Sequence, residues 1–222
     1  SEQPEQSQPT AVDPEGALRA LGWPMSGSVD GVLAALSAGK GVDVDNAANW
    51  PLPDLGPSAE PARSDSVARL LVTDMAPDVA MQFTPGLPTL VVSPPSLVVG
   101  VQVGEATTAV ELVAHVRSVL AENLLAEASV VALACAQADA AHDAVAGASA
   151  ELGVPVLGFV WDNSGDGHSA PTDVPQASTA QVAEVVVAVA GARLALPAHT
   201  APDASGAGGS TVALGRVQPV TA

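Results

Sequence analysis

The sequence contains no tyrosine, two phenylalanines, three tryptophans, one cysteine and one lysine, and each scarcity removes a class of function. With so few aromatic platforms the chain has little on which to stack bases or sugar rings. A single cysteine, Cys135, excludes an intramolecular disulfide and any zinc site built on several cysteines of one chain. Lys40 and six arginines stand against 24 Asp and Glu, giving a formal charge of −17. No Lys or Arg falls between Arg117 and Arg193, a stretch holding acidic residues from Glu122 to Glu184. Such a surface repels phosphate backbones and anionic lipid, so neither a nucleic-acid nor a membrane partner is expected. Solubility, or life at high ionic strength, is the plain reading of the acidity.

What is present is apolar and small. Hydrophobic residues make up 48 % of 222 positions, mostly Ala, Val and Leu, which is enough to bury a real core in one large domain or two small ones. The longest apolar runs are strand-sized or amphipathic, well short of a membrane span. The opening Ser1-Glu-Gln-Pro-Glu-Gln-Ser-Gln-Pro9 has neither a basic stretch nor an apolar one and does not read as a signal peptide. The expected location is cytoplasmic.

Periodicity and punctuation organise the chain into three parts. Residues 1–13 are Pro/Gln-rich and read as a disordered tail. Residues 14–92 read as a smaller α/β unit. A helix is predicted over Pro14–Leu21, stopped by Gly22, and a second over Asp30–Ala38, with Asp30 as N-cap and Gly39 as stop. Strands are predicted at Ala68–Thr73 and Leu90–Val92. The two prolines of Ser93-Pro94-Pro95-Ser96 mark a joint. Residues 93–222 then alternate strand and helix: strand Leu97–Gln102, a helix opened by Thr108 and Glu111 at capping-box spacing, strand Ser129–Ala134, helix Asp139–Leu152 ended by Gly153, strand Val154–Phe159, helix Ser178–Ala190, and strands Arg193–Leu196 and Thr211–Leu214. The expected fold class is α/β: a layered α/β/α domain with a mainly parallel sheet, its last two strands able to add an antiparallel edge.

The order and wording of these segments resemble the CbiG/CobE family of cobalamin biosynthesis. Ser93-Pro-Pro-Ser-Leu-Val-Val-Gly100 is similar to the start of the CbiG C-terminal domain, which also exists alone as CobE. Thr107-Thr-Ala-Val-Glu111, Val131-Ala-Leu-Ala134, Glu151-Leu-Gly-Val-Pro155, Ser178–Glu184, Ala192-Arg-Leu-Ala-Leu-Pro197 and Thr211-Val-Ala-Leu214 resemble its later landmarks in order. Trp50-Pro-Leu-Pro53 is similar to a landmark of the CbiG central region. The resemblance implies the family activity, opening of the δ-lactone of cobalt-precorrin-5A with release of acetaldehyde, or a role like that of CobE, for which no reaction is settled. It implies a tetrapyrrole intermediate or another corrin-pathway enzyme as partner, and no cofactor. The chain departs from the family at polar positions. Gln102-Val-Gly-Glu-Ala106 stands where the family reads G-C-R-R-G, Asp139 replaces a lysine, Ala198 replaces a basic residue, and the motif S-G-H-x-G-G-A-N is missing. Because a precorrin carries many carboxylates, these changes invert the expected field.

Ligands of open α/β sheets bind beyond the carboxyl ends of strands. The candidate substrate-binding residues are therefore Gln102, Gly104, Glu105 and Thr107 after one strand, and Gln137, Asp139 and His142 after the next. Glu105 could itself occupy the positive end of the following helix. Asp139, His142 and Asp143 have helical spacing and, with His168, contain the residue types for a divalent ion; helix-dipole stabilisation is the simpler account, and no metal is expected. Ser164, Asp166 and His168 contain the residue types of a hydrolytic triad but lie in one Gly-rich loop without a nucleophile elbow. His115 shares a polar helix face with Glu111, Ser118 and Glu122 and is expected to be solvated. Cys135 reads as a buried small hydrophobe. No catalytic residue is assigned.

Overall fold

The computed structural model describes residues 13–160, 192–202 and 209–219. The chain forms two compact units, one from Ser1–Thr73 with Ala80–Val92, the other from Asp74–Val79 with Ser93–Ala222. Each holds a five-stranded sheet.

In the first unit α1 (Pro14–Ala20) starts where the Asp13 carboxylate accepts the Gly16 N–H at 3.0 Å. Asp13 thus belongs to the fold; the rest of the expected tail lies outside the described residues. β1 (Met25–Gly27) follows, then α2 (Val29–Ser37), β2 (Val42–Asp45), β3 (Ala59–Glu60), β4 (Ala68–Val72), α3 (Pro77–Gln82), whose residues are divided between the two units, and β5 (Thr89–Val92). The sheet order is β1-β5-β4-β2-β3, with β1 antiparallel and the remaining pairs parallel. Ser28, and not Asp30, caps α2. The reason is β1: Gly27, at φ +88°, brings the chain so close to β5 that an added Cβ would lie 2.5 Å from the Thr89 carbonyl oxygen. The helix begins at once after that contact. Val32, Leu33 and Leu36 of α2 pack with Leu18, Leu70 and Leu90 in one core. Across it, Asp43 and Arg69 are register partners on β2 and β4 and form an ion pair of 2.7 Å.

In the second unit β6 (Leu97–Val103), α4 (Ala109–Glu122), β7 (Val130–Ala136), α5 (Asp143–Leu152) and β8 (Val156–Phe159) precede the hairpin β9 (Arg193–Pro202) and β10 (Gly209–Arg216). The order is β8-β7-β6-β10-β9. The first three strands are parallel, whereas β10 runs antiparallel to β6 and to β9. This sheet is therefore mixed, because the hairpin adds directly beside β6 over seven residue pairs. Leu97, Val99 and Val101 turn to one face, where they meet Leu112, Val116 and Val119 of α4 and Val145 and Ala148 of α5. Val98, Ala134 and Ala213 turn to the other. The helix expected over Ser178–Ala190 and the Ser164–His168 loop lie outside the described residues. Asp74 is clamped within this unit by a bidentate pair with Arg216 (2.5 and 3.0 Å) and by the Ser96 hydroxyl at 3.2 Å. Among the described residues, no helix is long and apolar enough to cross a membrane.

Candidate functional site

β6 and β7 are parallel neighbours, so their carboxyl ends and the turns that follow lie along one edge of the second sheet. The two helices after those turns also converge. Gly147 of α5 lies against Ala109 at the start of α4, where an added Cβ would come within 2.6 Å of the Ala109 Cβ. All seven candidate residues therefore fall on this edge, but their side chains do different things.

After β6, the turn is self-contained. The Gly104 N–H donates both to the Thr107 hydroxyl at 3.1 Å and to the Gly209 carbonyl at 2.9 Å, and the Thr107 N–H donates back to Gly104. Thr107 is buried and its hydroxyl is consumed by the turn. Thr108 then caps α4: its N–H donates to Glu111 at 2.9 Å, and the Glu111 N–H donates to the Thr108 hydroxyl at 3.3 Å. The carboxylate at the positive end of α4 is thus Glu111, while Glu105 is exposed. This box leaves the next amides, Ala109 and Val110, without an acceptor inside the helix.

After β7, the chain makes a turn rather than a helix. The Asp139 and Ala140 N–H groups both donate to the Ala136 carbonyl, and the Gln137 N–H donates to Phe159 on β8 at 2.8 Å. The turn folds over Gly158, whose missing Cβ leaves room for the Gln137 Oε1. Only then does α5 begin, with His142 as its N-cap and its Nδ1 accepting the Ala144 N–H at 3.1 Å. The helix thus starts at Asp143, four residues later than the sequence pattern suggests, and Asp139, His142 and Asp143 do not share a helical face. Burial raises the Asp139 carboxyl above its usual range, with nearby His142 opposing that shift. Cys135 is fully buried, and burial followed by the Asp139 charge pushes its thiol up to about 11. No group of three or more His, Cys, Asp or Glu is placed to hold a metal among the described residues. His168 lies outside them.

Gln102 is the distinctive member. It alternates with Val98 and Gly100, so it faces away from α4. Its register partner is Thr211, whose hydroxyl is 3.2 Å from that of Thr200 on β9. The Gln102 Oε1 is buried, and no hydrogen-bond partner reaches it among the described residues. An unmet buried acceptor is uncommon in a native protein and marks a place for a donor. The residues 102–107 and 137–142 supply amides, hydroxyls and carboxylates but no cation. That set can bind and orient by hydrogen bonds; it holds no nucleophile paired with a base.

One polar pairing was not legible in the sequence. His115 is not solvated: it is part-buried, with Nδ1 2.7 Å from the hydroxyl of Ser210 at the start of β10. Burial first, then the charge of His199, lowers its pKa, and Glu122 partly opposes them. The partners lie 95 residues apart, so no local pattern could have announced them.

No family model matches the sequence, and no curated protein matches it. Solved structures do match. A cobalamin biosynthesis protein G homolog from Sulfolobus solfataricus is 15 % identical over 91 % of this chain, with a TM-score of 0.43. The chain spans 59 % of the length of that protein. Cobalamin biosynthesis protein chiG from Agrobacterium tumefaciens matches 55 % of this chain and 98 % of its own, at 20 % identity and a TM-score of 0.39. CobE, a protein from the cobalamin (vitamin B12) biosynthetic pathway, matches 57 % of this chain and 94 % of its own, at 19 % identity and a TM-score of 0.40. The chain is similar to CbiG/CobE proteins.

Proposed function

We propose that the chain is a divergent CbiG/CobE-type protein of cobalamin biosynthesis, acting in the cytoplasm, whose second unit binds a precorrin intermediate beyond the ends of β6 and β7. What supports the reading is the placement of the sequence landmarks. Ser93-Pro94-Pro95-Ser96 directly precedes β6, Thr108 and Glu111 form the capping box of α4, Val131–Ala134 lies inside β7, Glu151–Pro155 makes the α5–β8 turn, and Arg193–Pro197 and Thr211–Leu214 lie in the hairpin. A metal-free tetrapyrrole polycarboxylate offers ring N–H donors to the Gln102 Oε1 and carboxylates to the Ala109 and Val110 amides at the start of α4. The titration to run uses hydrogenobyrinic acid, a metal-free corrin polycarboxylate that keeps its ring N–H, at low and high salt. Saturable binding that Gln102→Leu weakens is expected; absence of binding at both salt levels would remove the proposal.

A second reading rests on the missing cations. With Glu105 and Asp139 where the family carries basic residues, the scaffold suits a non-catalytic partner of a corrin-pathway enzyme. That reading requires a pathway enzyme to co-purify with the full chain from extract, and it fails if none does.

A further inference from the structure

The loop end of the β9–β10 hairpin is fastened both to α4 and to the turn after β6. The Ser210 hydroxyl, only 4 % exposed, lies 2.7 Å from Nδ1 of His115 on α4. One residue earlier, the Gly209 carbonyl accepts the Gly104 N–H at 2.9 Å. A second histidine stands beside these contacts. Register pairs Val212 with His199 on β9, and side chains alternate along a strand, so Ser210, Val212 and His199 present the face that α4 covers. His115 and His199 therefore approach Ser210 from a helix and from the edge strand.

No other charge nearby neutralises this pair. Among the described residues, β6 meets α4 with Leu97, Val99 and Val101, β10 with Val212 and Leu214, and α5 with Val145 and Ala148. On α4 itself Glu111 is engaged in the helix cap, and Arg117 is paired with Glu127 and Glu151. Glu122 favours a proton on His115, but it is exposed and already accepts the Ser118 hydroxyl at 2.9 Å. Burial and the charge of His199 outweigh it and lower the His115 pKa.

We infer that His115, His199 and Ser210 form an acid-released latch on the loop end of the hairpin, whose opening frees the Gly104–Thr107 turn of the candidate binding edge. With both imidazoles neutral, His115 rests against Ser210 and the hairpin stays seated on α4. A proton on each puts two cations on one side of a part-buried contact, and the His115 imidazolium regains its water only when the hairpin end lifts away. β9 is the end strand of its sheet and His199 is exposed, so this end opens without unfolding β6 and β7. The consequence for binding rests on the function proposed above; the latch itself does not, and its test needs no ligand.

The test is amide hydrogen exchange on the full chain in low concentrations of urea, from about pH 7.5 to about pH 5, across the ordinary histidine range. Gly104 and Val212 are expected to exchange through an opening that urea barely affects. Their protection, corrected for the intrinsic rate, is expected to fall about tenfold at the acid end, the ratio that one unit of pKa represents. Leu133, inside β7, is expected to exchange by the urea-sensitive global route. His199→Gln, a change at an exposed site, is expected to shrink the acid response, and His115→Gln to abolish it. Gly104 and Val212 following the urea dependence of Leu133, protection that ignores pH, or an acid response intact in either variant would overturn the inference.

Discussion

Burial and neighbouring His199 both disfavour a proton on His115, and the consequence for stability has a definite sign. The folded state binds this proton less tightly than the unfolded chain, whose histidine titrates near 6.5. Stability is therefore complete above that value and falls as pH drops through it toward the lower folded pKa. Denaturant unfolding between neutral and mildly acidic pH is expected to show this loss, and His115→Gln to flatten it. Ser210→Ala removes the partner of Nδ1 and is expected to cost about 1 kcal/mol at neutral pH. Unchanged acid sensitivity in His115→Gln would show that other groups carry it. Asp139 acts in the opposite direction: its raised pKa means the ionised carboxylate opposes folding at neutral pH, a penalty relieved as pH falls through the folded value.

At the scale of elements, α4 and α5 make an instructive pair. α4 was readable because its signals are local: Thr108 and Glu111 sit three apart, and Leu112, Val113, Val116, Val119 and Leu120 repeat at helical spacing and are all buried. Thr108→Ala is expected to cost about 1 kcal/mol, seen as a lower denaturation midpoint. The end of α5 was equally plain, at Gly153 with φ +69°. Its start was not. Ala-rich sequence continues smoothly through Asp139, and what delays the helix is the turn that lays Gln137 over Gly158 of another strand. The contact between α4 and α5 was also hidden, because Gly147 gives no periodic signal. Gly147→Val would drive a side chain into Ala109 and is expected to destabilise by about 1–3 kcal/mol. A tolerated valine would mean that the two helices can separate there.

Across the whole molecule, the cores around Leu70 and Leu112 share no residue. Leu70→Ala and Leu112→Ala should each cost about 2–5 kcal/mol, but in different units. With Trp161 replaced by Phe, unfolding followed separately, by the fluorescence of Trp23 and Trp50 in the first unit and by amide exchange on β6 and β7 in the second, is expected to respond to one mutation each. A common shift of both signals by either mutation would show a single cooperative core. Composition settled the class of such a chain: 48 % hydrophobic residues and strands alternating with helices make an α/β protein, and one cysteine leaves packing rather than cross-links to hold it. Periodicity located the central strands and α4, and the scarcity of Lys and Arg fixed the sign of the surface, because each of these is set by residues close in the chain or by their totals. Only the tertiary structure decided that the β9–β10 hairpin joins the sheet at β6, and that His115 therefore meets Ser210. It also decided that Gln102 turns its unmet oxygen to the face opposite α4. Those outcomes depend on strand register and on pairings as far apart in the chain as Leu97 and Arg216, and no local pattern encodes which distant residue arrives.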